Sequence, residues 1–279
     1  MRPLLFILMT LAATATARGD EAADAVAAAR SALKAGDSAA ALSAAEKAVA
    51  LAPKSPVAYF VRGDAYAAAR KHAEAIRDFD KSYSLDKTFL LALDHRGGER
   101  FKLGQVKESI ADFDAFLKDN PREAPAHWRR GISYYYVGQY EKGAKQFFDG
   151  QDAFSDDVEN AFWHYLCNAR KDGVATARKS ILKLSAADSR VPLMSVYDLI
   201  QGKVKAKDVI DAAEMAKLNA ADKNQAQFYA HLYVALNYEA EGDAAKCLEH
   251  LKHAVEHKIG HYMWDVANVH LNLVSVKKK

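Results

Sequence analysis

Residues 59–79, YFVRGDAYAAARKHAEAIRDF, contain an Arg-Gly pair that returns at a fixed interval. Arg62-Gly63, Arg96-Gly97 and Arg130-Gly131 follow one another by an identical step. Glycine inside a helix costs about 1 kcal/mol relative to alanine. Three at one register therefore predict a packing cause, a place where each helix lets another backbone approach closely.

The companions fall where a two-helix repeat needs them. Tyr66 and Tyr134 each sit three residues after a glycine of the pair. Ala41, Ala75, Ser109 and Gly143 share the same step, and Phe79, Phe113 and Phe147 follow four residues after the last three. Pro53 and Pro121 close two of the units, where a helix should stop. This pattern over four consecutive units resembles the tetratricopeptide repeat (TPR) family, whose repeat is about 34 residues long. The resemblance implies an all-α fold: a right-handed TPR superhelix, or α-solenoid, of helix-turn-helix repeats with a C-terminal capping helix.

The predicted units span about 22–55, 56–89, 90–123 and 124–157, with inter-helix turns at Gly36-Asp37, Arg70-Lys71, Gly104-Gln105 and Gly138-Gln139. The first is alanine-rich, with Ala29, Ala45 and Ala48 at the registers of Gly63, Phe79 and Ser82. Small side chains bury little area, so this terminal repeat is expected to be the least stable. In units two and three the repeated arginine is matched by an aspartate at one fixed register of the second helix, Asp78 for Arg62 and Asp112 for Arg96. That predicts an ion pair inside the hairpin. Gln146 stands at the same register in unit four.

The chain opens MRPLLFILMTLAATATA: a basic Arg2, an apolar run from Leu4 to Ala13 and a small-x-small site at residues 15–17. That is the form of a secretory signal peptide, 1–17, with a mature chain expected to begin near Arg18. The run is short for a bilayer span, and no cysteine lies near the cleavage site to carry a lipid. An exported protein, periplasmic or secreted, with no membrane insertion after cleavage is the expectation. Lys+Arg 39 against Asp+Glu 36, net +3, argues against a nucleic-acid partner, which would draw on a strong basic excess. Lys277 to Lys279 reads as a solvated tail.

After Asp157 the register blurs. Residues 158–227 are read as a degenerate hairpin, with helices at 158–170 and 174–184, followed by two shorter helices at about 193–201 and 205–217. The repeat returns over 228–261, and Tyr262 to Ser275 forms a cap within 262–276. Phe162-Trp163-x-Tyr165-Leu166, Val196-Tyr197…Gly202 and Phe228-Tyr229…Tyr238…Gly242-Asp243 with an aromatic cap look like the new-lipoprotein-I type of bacterial envelope TPR protein. That resemblance implies a dimeric adaptor holding peptidoglycan hydrolases and a processing protease together. The lipidated cysteine of that type has no counterpart here.

The sequence carries no Gly-rich phosphate loop, G-x-S-x-G elbow, HExxH or cysteine-nucleophile signature, so neither catalysis nor a cofactor is expected. Cys167 and Cys247 are expected as buried thiols. His250, His253 and His257 share one helical face, with His261 after them; imidazoles at that spacing are a weak metal candidate, better read as a solvated or partner-facing surface.

The TPR resemblance places the first helix of each unit on a concave side. Its registers hold Phe60, Asp64, Leu91, Asp94, Phe101, Lys102, Trp128, Ile132, Tyr135, Tyr136 and Phe162. Left uncovered, these rings would form an exposed apolar patch of the kind that marks partner sites. The site expected from sequence is therefore Phe60, Asp64, Phe101, Lys102, Trp128, Ile132, Tyr135, Tyr136 and Phe162, taking a protein or peptide segment with apolar side chains. The competing expectation is a homodimer whose groove is filled by a second copy.

Overall fold

A computed structural model describes the backbone of residues 3–276 and the side chains of residues 18–275. The side chains of residues 1–17, on which the expected signal peptide falls, and the closing lysines lie outside the described residues. Among the described residues there are fifteen α-helices and no strand, divided into two compact units, Met1–Asp119 and Asn120–Lys279.

Unit one is six helices: α1 (Pro3–Lys34), α2 (Ser38–Leu51), α3 (Pro56–Ala68), α4 (His72–Leu85), α5 (Leu91–Lys102) and α6 (Val106–Asp119). Short polar side chains begin two of them. Asp37 accepts a hydrogen bond from the Ala40 N–H at 2.9 Å, and Ser55 one from Ala58 at 3.2 Å just ahead of Pro56. Each cap satisfies a backbone donor that the first helical turn leaves without a partner. The hairpin turns each need one left-handed residue, and it recurs at the repeat period: Gly36 (φ 75°), Arg70 (φ 59°), Gly104 (φ 75°) and, in unit two, Gly138 (φ 74°).

The repeated helix glycine makes room for a ring rather than for a backbone. A Cβ at Gly63 would lie 2.6 Å from the Phe79 ring, at Gly97 2.7 Å from Phe113, and at Gly131 2.7 Å from Phe147. Each phenylalanine stands at one register of the second helix, so these three hairpins close by pushing a ring onto the bare backbone of the first helix. The arginines beside these glycines cross the same seam. Arg62 holds Asp78 through two hydrogen bonds of 2.6 and 2.8 Å, Arg96 holds Asp112 at 2.9 and 2.6 Å, and Arg130 holds the Gln146 amide oxygen at 2.9 and 2.7 Å. The third pair keeps the geometry with a neutral acceptor.

Unit two contains α7 (Trp128–Tyr136), α8 (Tyr140–Asp149), α9 (Val158–Asp172), the one-turn α10 (Val174–Ala177), α11 (Leu193–Ile200), α12 (Ala206–Met215), α13 (Ala220–Glu241), α14 (Ala244–Glu256) and α15 (Tyr262–Val276). The helix expected over 174–184 is not formed. After α10 and a single 3-10 turn at Arg178–Ser180 the chain runs irregularly to α11. This stretch is held by the Tyr197 hydroxyl on the Leu182 carbonyl, at 3.0 Å, and by Arg190. Conversely, α13 begins well before Phe228, capped by Asn219, whose side chain accepts from Asp222 N–H at 3.0 Å. The deep core of the unit is aromatic: Phe147, Phe162, Trp163, Tyr165, Phe228, Tyr229 and Tyr233 are all almost fully buried.

Candidate functional site

In unit one the concave-register rings are not free. Phe60 is 7% exposed, packed against Phe79, Phe89 and His95 at centroid distances of 5.6, 5.1 and 4.7 Å. Phe101 is fully buried. The expectation of exposed rings is corrected here, because side chains further along the chain, Phe89 and His95 for Phe60, cover them. The polar members of the register bind neighbours in the same unit: Asp64 Oδ1 to His95 Nδ1 at 2.7 Å, and Lys102 Nζ to Glu99 Oε1 at 2.6 Å. The other oxygen of Glu99 meets His72 Nδ1 at 2.6 Å. Burial raises the Glu99 pKa, but His72 and Lys102 outweigh it together and hold the carboxyl below its ordinary range. Leu91 is the exception at this face, 48% exposed.

In unit two the same correction holds for Ile132, Tyr135 and Phe162, which are 1%, 5% and 0% exposed. Phe162 packs on Tyr233 at 4.6 Å. Trp128 and Tyr136 keep partial exposure, and both meet the chain's own last helix: Trp128 stands edge-on to Tyr262 at 5.3 Å, and the Tyr136 hydroxyl lies 3.0 Å from His270 Nδ1. The two pairs have the same offset along the chain, so α15 runs alongside α7 in the same direction. The expected cap thus covers part of the face where a guest was expected.

Beneath α15 is a buried polar cluster that sequence reading missed, because its members are scattered over five helices. Glu239 of α13 accepts a short hydrogen bond from the Tyr135 hydroxyl, lies 3.5 Å from the Arg170 guanidinium and 3.6 Å from His270 Nε2. Cys247 Sγ is 3.9 Å from the same imidazole nitrogen. Cysteine, histidine and glutamate are the residue types of a nucleophilic triad, but here thiol and carboxylate both lie at His270 Nε2 and not on opposite ring nitrogens. The thiol, however, is 1% exposed and burial pushes it up to about 12, so it stays protonated and packed. Burial and the nearby Glu239 raise the Tyr135 and Tyr136 hydroxyls as well. Cys167 is equally buried, and both cysteines are free thiols.

Beside this cluster unit two contains a recess of about 160 Å³. Its apolar wall is Trp128 and Ile132 of α7, Phe147 of α8, Trp163 of α9, Phe154 and Met263; its polar side includes Asp157, Glu159, Arg190 and His261. Trp163 stacks on Phe147 at 6.3 Å, is 1% exposed, and its Nε1–H meets no acceptor. An unpaired buried donor costs about 1–3 kcal/mol. Arg190 is saturated: it donates to Asp157 at 2.7 Å, to Glu159 at 2.5 Å and to Asp188 at 2.9 and 2.5 Å. Two of the expected site residues, Trp128 and Ile132, belong to this wall. The other expected residues lie outside it.

The histidine face gains a member from the facing helix. His231 of α13 packs against His250, His253 and His257, with centroids at 5.1, 5.0 and 6.1 Å, and its Nδ1 lies 3.0 Å from that of His250. Burial first, then the three neighbouring imidazoles, lowers the His231 pKa to about 4. His257 Nδ1 lies 3.1 Å from Asn224 Oδ1. Among the described residues no three His, Cys, Asp or Glu side chains are arranged to hold a metal.

Antiparallel helix pairs, three of them closed by a recurrent Gly-Phe contact, define a helical-repeat protein. Residues 26–87 and 96–157 match the family model of the tetratricopeptide repeat. Those two stretches are tetratricopeptide repeats. No curated protein matches it. Among solved structures it is similar to residues 41 onward of MamA from Desulfovibrio magneticus, 23% identical over 57% of this chain and 90% of that one, with a TM-score of 0.53. A tetratricopeptide repeat protein from Parabacteroides merdae is 15% identical over 92% of this chain and 99% of that one, TM-score 0.57. PilF of Pseudomonas aeruginosa is 12% identical over 91% and 99%, TM-score 0.51. At these identities the likeness is one of fold. Repeats of this family act as scaffolds for protein–protein interaction, and that is the class of function the chain carries.

Proposed function

We propose that this chain is an exported adaptor that seizes a protein or peptide partner by an apolar side chain, at the Trp128–Trp163 recess of unit two. The observation that carries this is the recess itself: aromatic walls, with two residues of the concave register among them. A scaffold needs no reactive group there, only a hole that fits one anchor of its guest. Export rests on the leader-like residues 1–17. Cell-wall enzymes as the guest rest on the resemblance to new-lipoprotein-I type proteins.

The test is affinity capture from envelope extracts with the wild type and a Trp128→Ala variant whose helical circular dichroism is unchanged. Loss of the same captured protein in the variant supports the recess as the docking point, and undiminished capture overturns it. Fractionation of cells carrying the full-length chain tests export. Light scattering tests the homodimer: a dimer split by Trp128→Ala transfers the recess to a second copy.

A further inference from the structure

The first helix of unit one has an outer face that no other described element covers. α1 turns Ala22, Ala25 and Ala29 into the core, where each is buried. Its opposite side carries Asp20, Ala23, Asp24, Ala27, Arg30 and Lys34, all exposed. At 3.6 residues per turn these six lie within about 60° of Ala27 around the helix. Among the described residues none of the four charged side chains makes an ion pair.

For one copy alone this arrangement is unfavourable. Asp20 and Asp24 stand one turn apart, as do Arg30 and Lys34, and like charges at that spacing repel on an isolated helix. A solvated face gains from interspersed signs. Here the acids gather at one end and the bases at the other.

The spacing answers to a second copy. Ala27 is the midpoint of both opposite-sign pairs: Asp24 and Arg30 lie three residues either side of it, Asp20 and Lys34 seven. Two α1 helices laid antiparallel about a twofold axis at Ala27 bring Asp20 level with Lys34 of the second copy and Asp24 level with its Arg30, each pair formed twice. Alanines meet between them, which lets the helices approach to about 8–10 Å. Parallel pairing instead sets acid against acid, and sliding one helix by a turn leaves one kind of pair where there were two. An open groove of about 810 Å³ lies beside this face, between α1 and the start of α3, and its lining includes Ala23, Ala27, Arg30 and Lys34, so a second helix has room to approach.

We infer that the outer face of α1 is an interface with a second copy of this chain, two antiparallel helices joined by four ion pairs around Ala27. The interface belongs to unit one and takes nothing from the recess of unit two. Residues 18–34 span about 25 Å of helix, which buries less than the roughly 1,200–2,000 Å² of a tight complex. The dimer is therefore weak, and salt weakens it further.

Sedimentation equilibrium on the full chain tests it, at up to about 0.5 mM and in about 20 and 500 mM salt. Wild type should dimerise, at least about tenfold more weakly in the higher salt. Asp20→Lys with Asp24→Lys makes the face wholly basic; Arg30→Glu with Lys34→Glu makes it wholly acidic. Each of these split variants alone should associate at least about tenfold more weakly than wild type, because like charges now oppose, and an equimolar mixture of the two should recover the association as a heterodimer. The chain with all four changes keeps the net charge of +3 and should dimerise like wild type. Glu21→Lys, off the face, and Trp128→Ala, in the recess, should leave the dimer unchanged, so this interface and partner docking fail separately.

A wild type that stays monomeric at about 0.5 mM overturns the inference and leaves the face to solvent or to a different protein. So does dimerisation of either split variant at wild-type strength, which places the association elsewhere in the chain. A mixture no better associated than its parts overturns it as well. Every changed α1 side chain is exposed, and unaltered helical circular dichroism checks that each variant is folded.

Discussion

At the scale of single residues, two positions carry opposite strains. Gly63 has no room for a methyl group: its Cβ would sit 2.6 Å from the ring of Phe79, itself 1% exposed and enclosed by Phe60 and His95. Gly63→Ala should therefore destabilise the chain by about 1–3 kcal/mol through overpacking, even after the gain in helix propensity, as read by urea denaturation. The same repeat scan that finds this glycine also finds Arg70, standing where the other repeats have glycine and held at φ 59°. A side-chain-bearing residue in that region costs about 1–2 kcal/mol, partly offset by the greater freedom glycine has when unfolded. Arg70→Gly should thus raise stability by about 0.5–1 kcal/mol in the same assay. The period and its members were legible in sequence. That the glycine accommodates a phenylalanine ring of the facing helix was not, since a spacing records that something is close and not what.

At the scale of elements, sequence served best where the repeat is regular and least where helices meet out of order. Helices α3 to α6 follow from turn residues and period, with Ser55 capping α3. The failure of 174–184 to form a helix has a tertiary cause: its end is tied down by Tyr197, and the following loop is anchored by Arg190 on Asp157, Glu159 and Asp188. His231 escaped notice because its three imidazole neighbours lie on another helix. This pairing of α13 with α14, together with α9, makes unit two acid-sensitive. Burial lowers His164 to about 4, and burial with three neighbouring histidines does the same to His231. An unfolded histidine titrates near 6.5, so between about pH 6.5 and 4 the unfolded chain takes up protons that the folded one refuses. The histidine contribution to stability must then fall as pH drops through 6.5 and level off below about 4. The melting temperature is expected to decline steadily from pH 7.5 to pH 5, and His164→Gln should flatten that decline; an equal slope in the variant would remove His164 from the cause.

At the scale of the whole molecule, the expectation of uncovered rings failed in an informative way. Reading ring positions along a repeat identifies which side chains point to one face, yet gives no sign of which neighbour will cover them, and here His95 covers Phe60 while α15 meets Trp128 and Tyr136. What survives is a local recess in unit two at Trp128 and Ile132. The distribution of buried volume across the chain makes one more prediction. In a repeat array each unit is stabilised by its own packing and that of its neighbours, so the weakest interface opens first. At the α1–α2 hairpin the buried side chains are Ala22, Ala25, Ala29, Ala41, Ala45 and Ala48, with Val49 the largest. The α9–α13 contact buries Phe162, Tyr165, Tyr229 and Tyr233. Apolar burial contributes about 25 cal/mol per Å², and an aromatic ring buries about 150–250 Å², several times what an alanine methyl can offer. Backbone amides of α2 should therefore exchange with deuterium fastest among the helices of unit one. Those of α9 and α13 should exchange slowest in unit two, with protection approaching that of global unfolding. If α2 instead exchanges as slowly as α4 and α5, the alanine-rich hairpin is stabilised by something other than the area it buries.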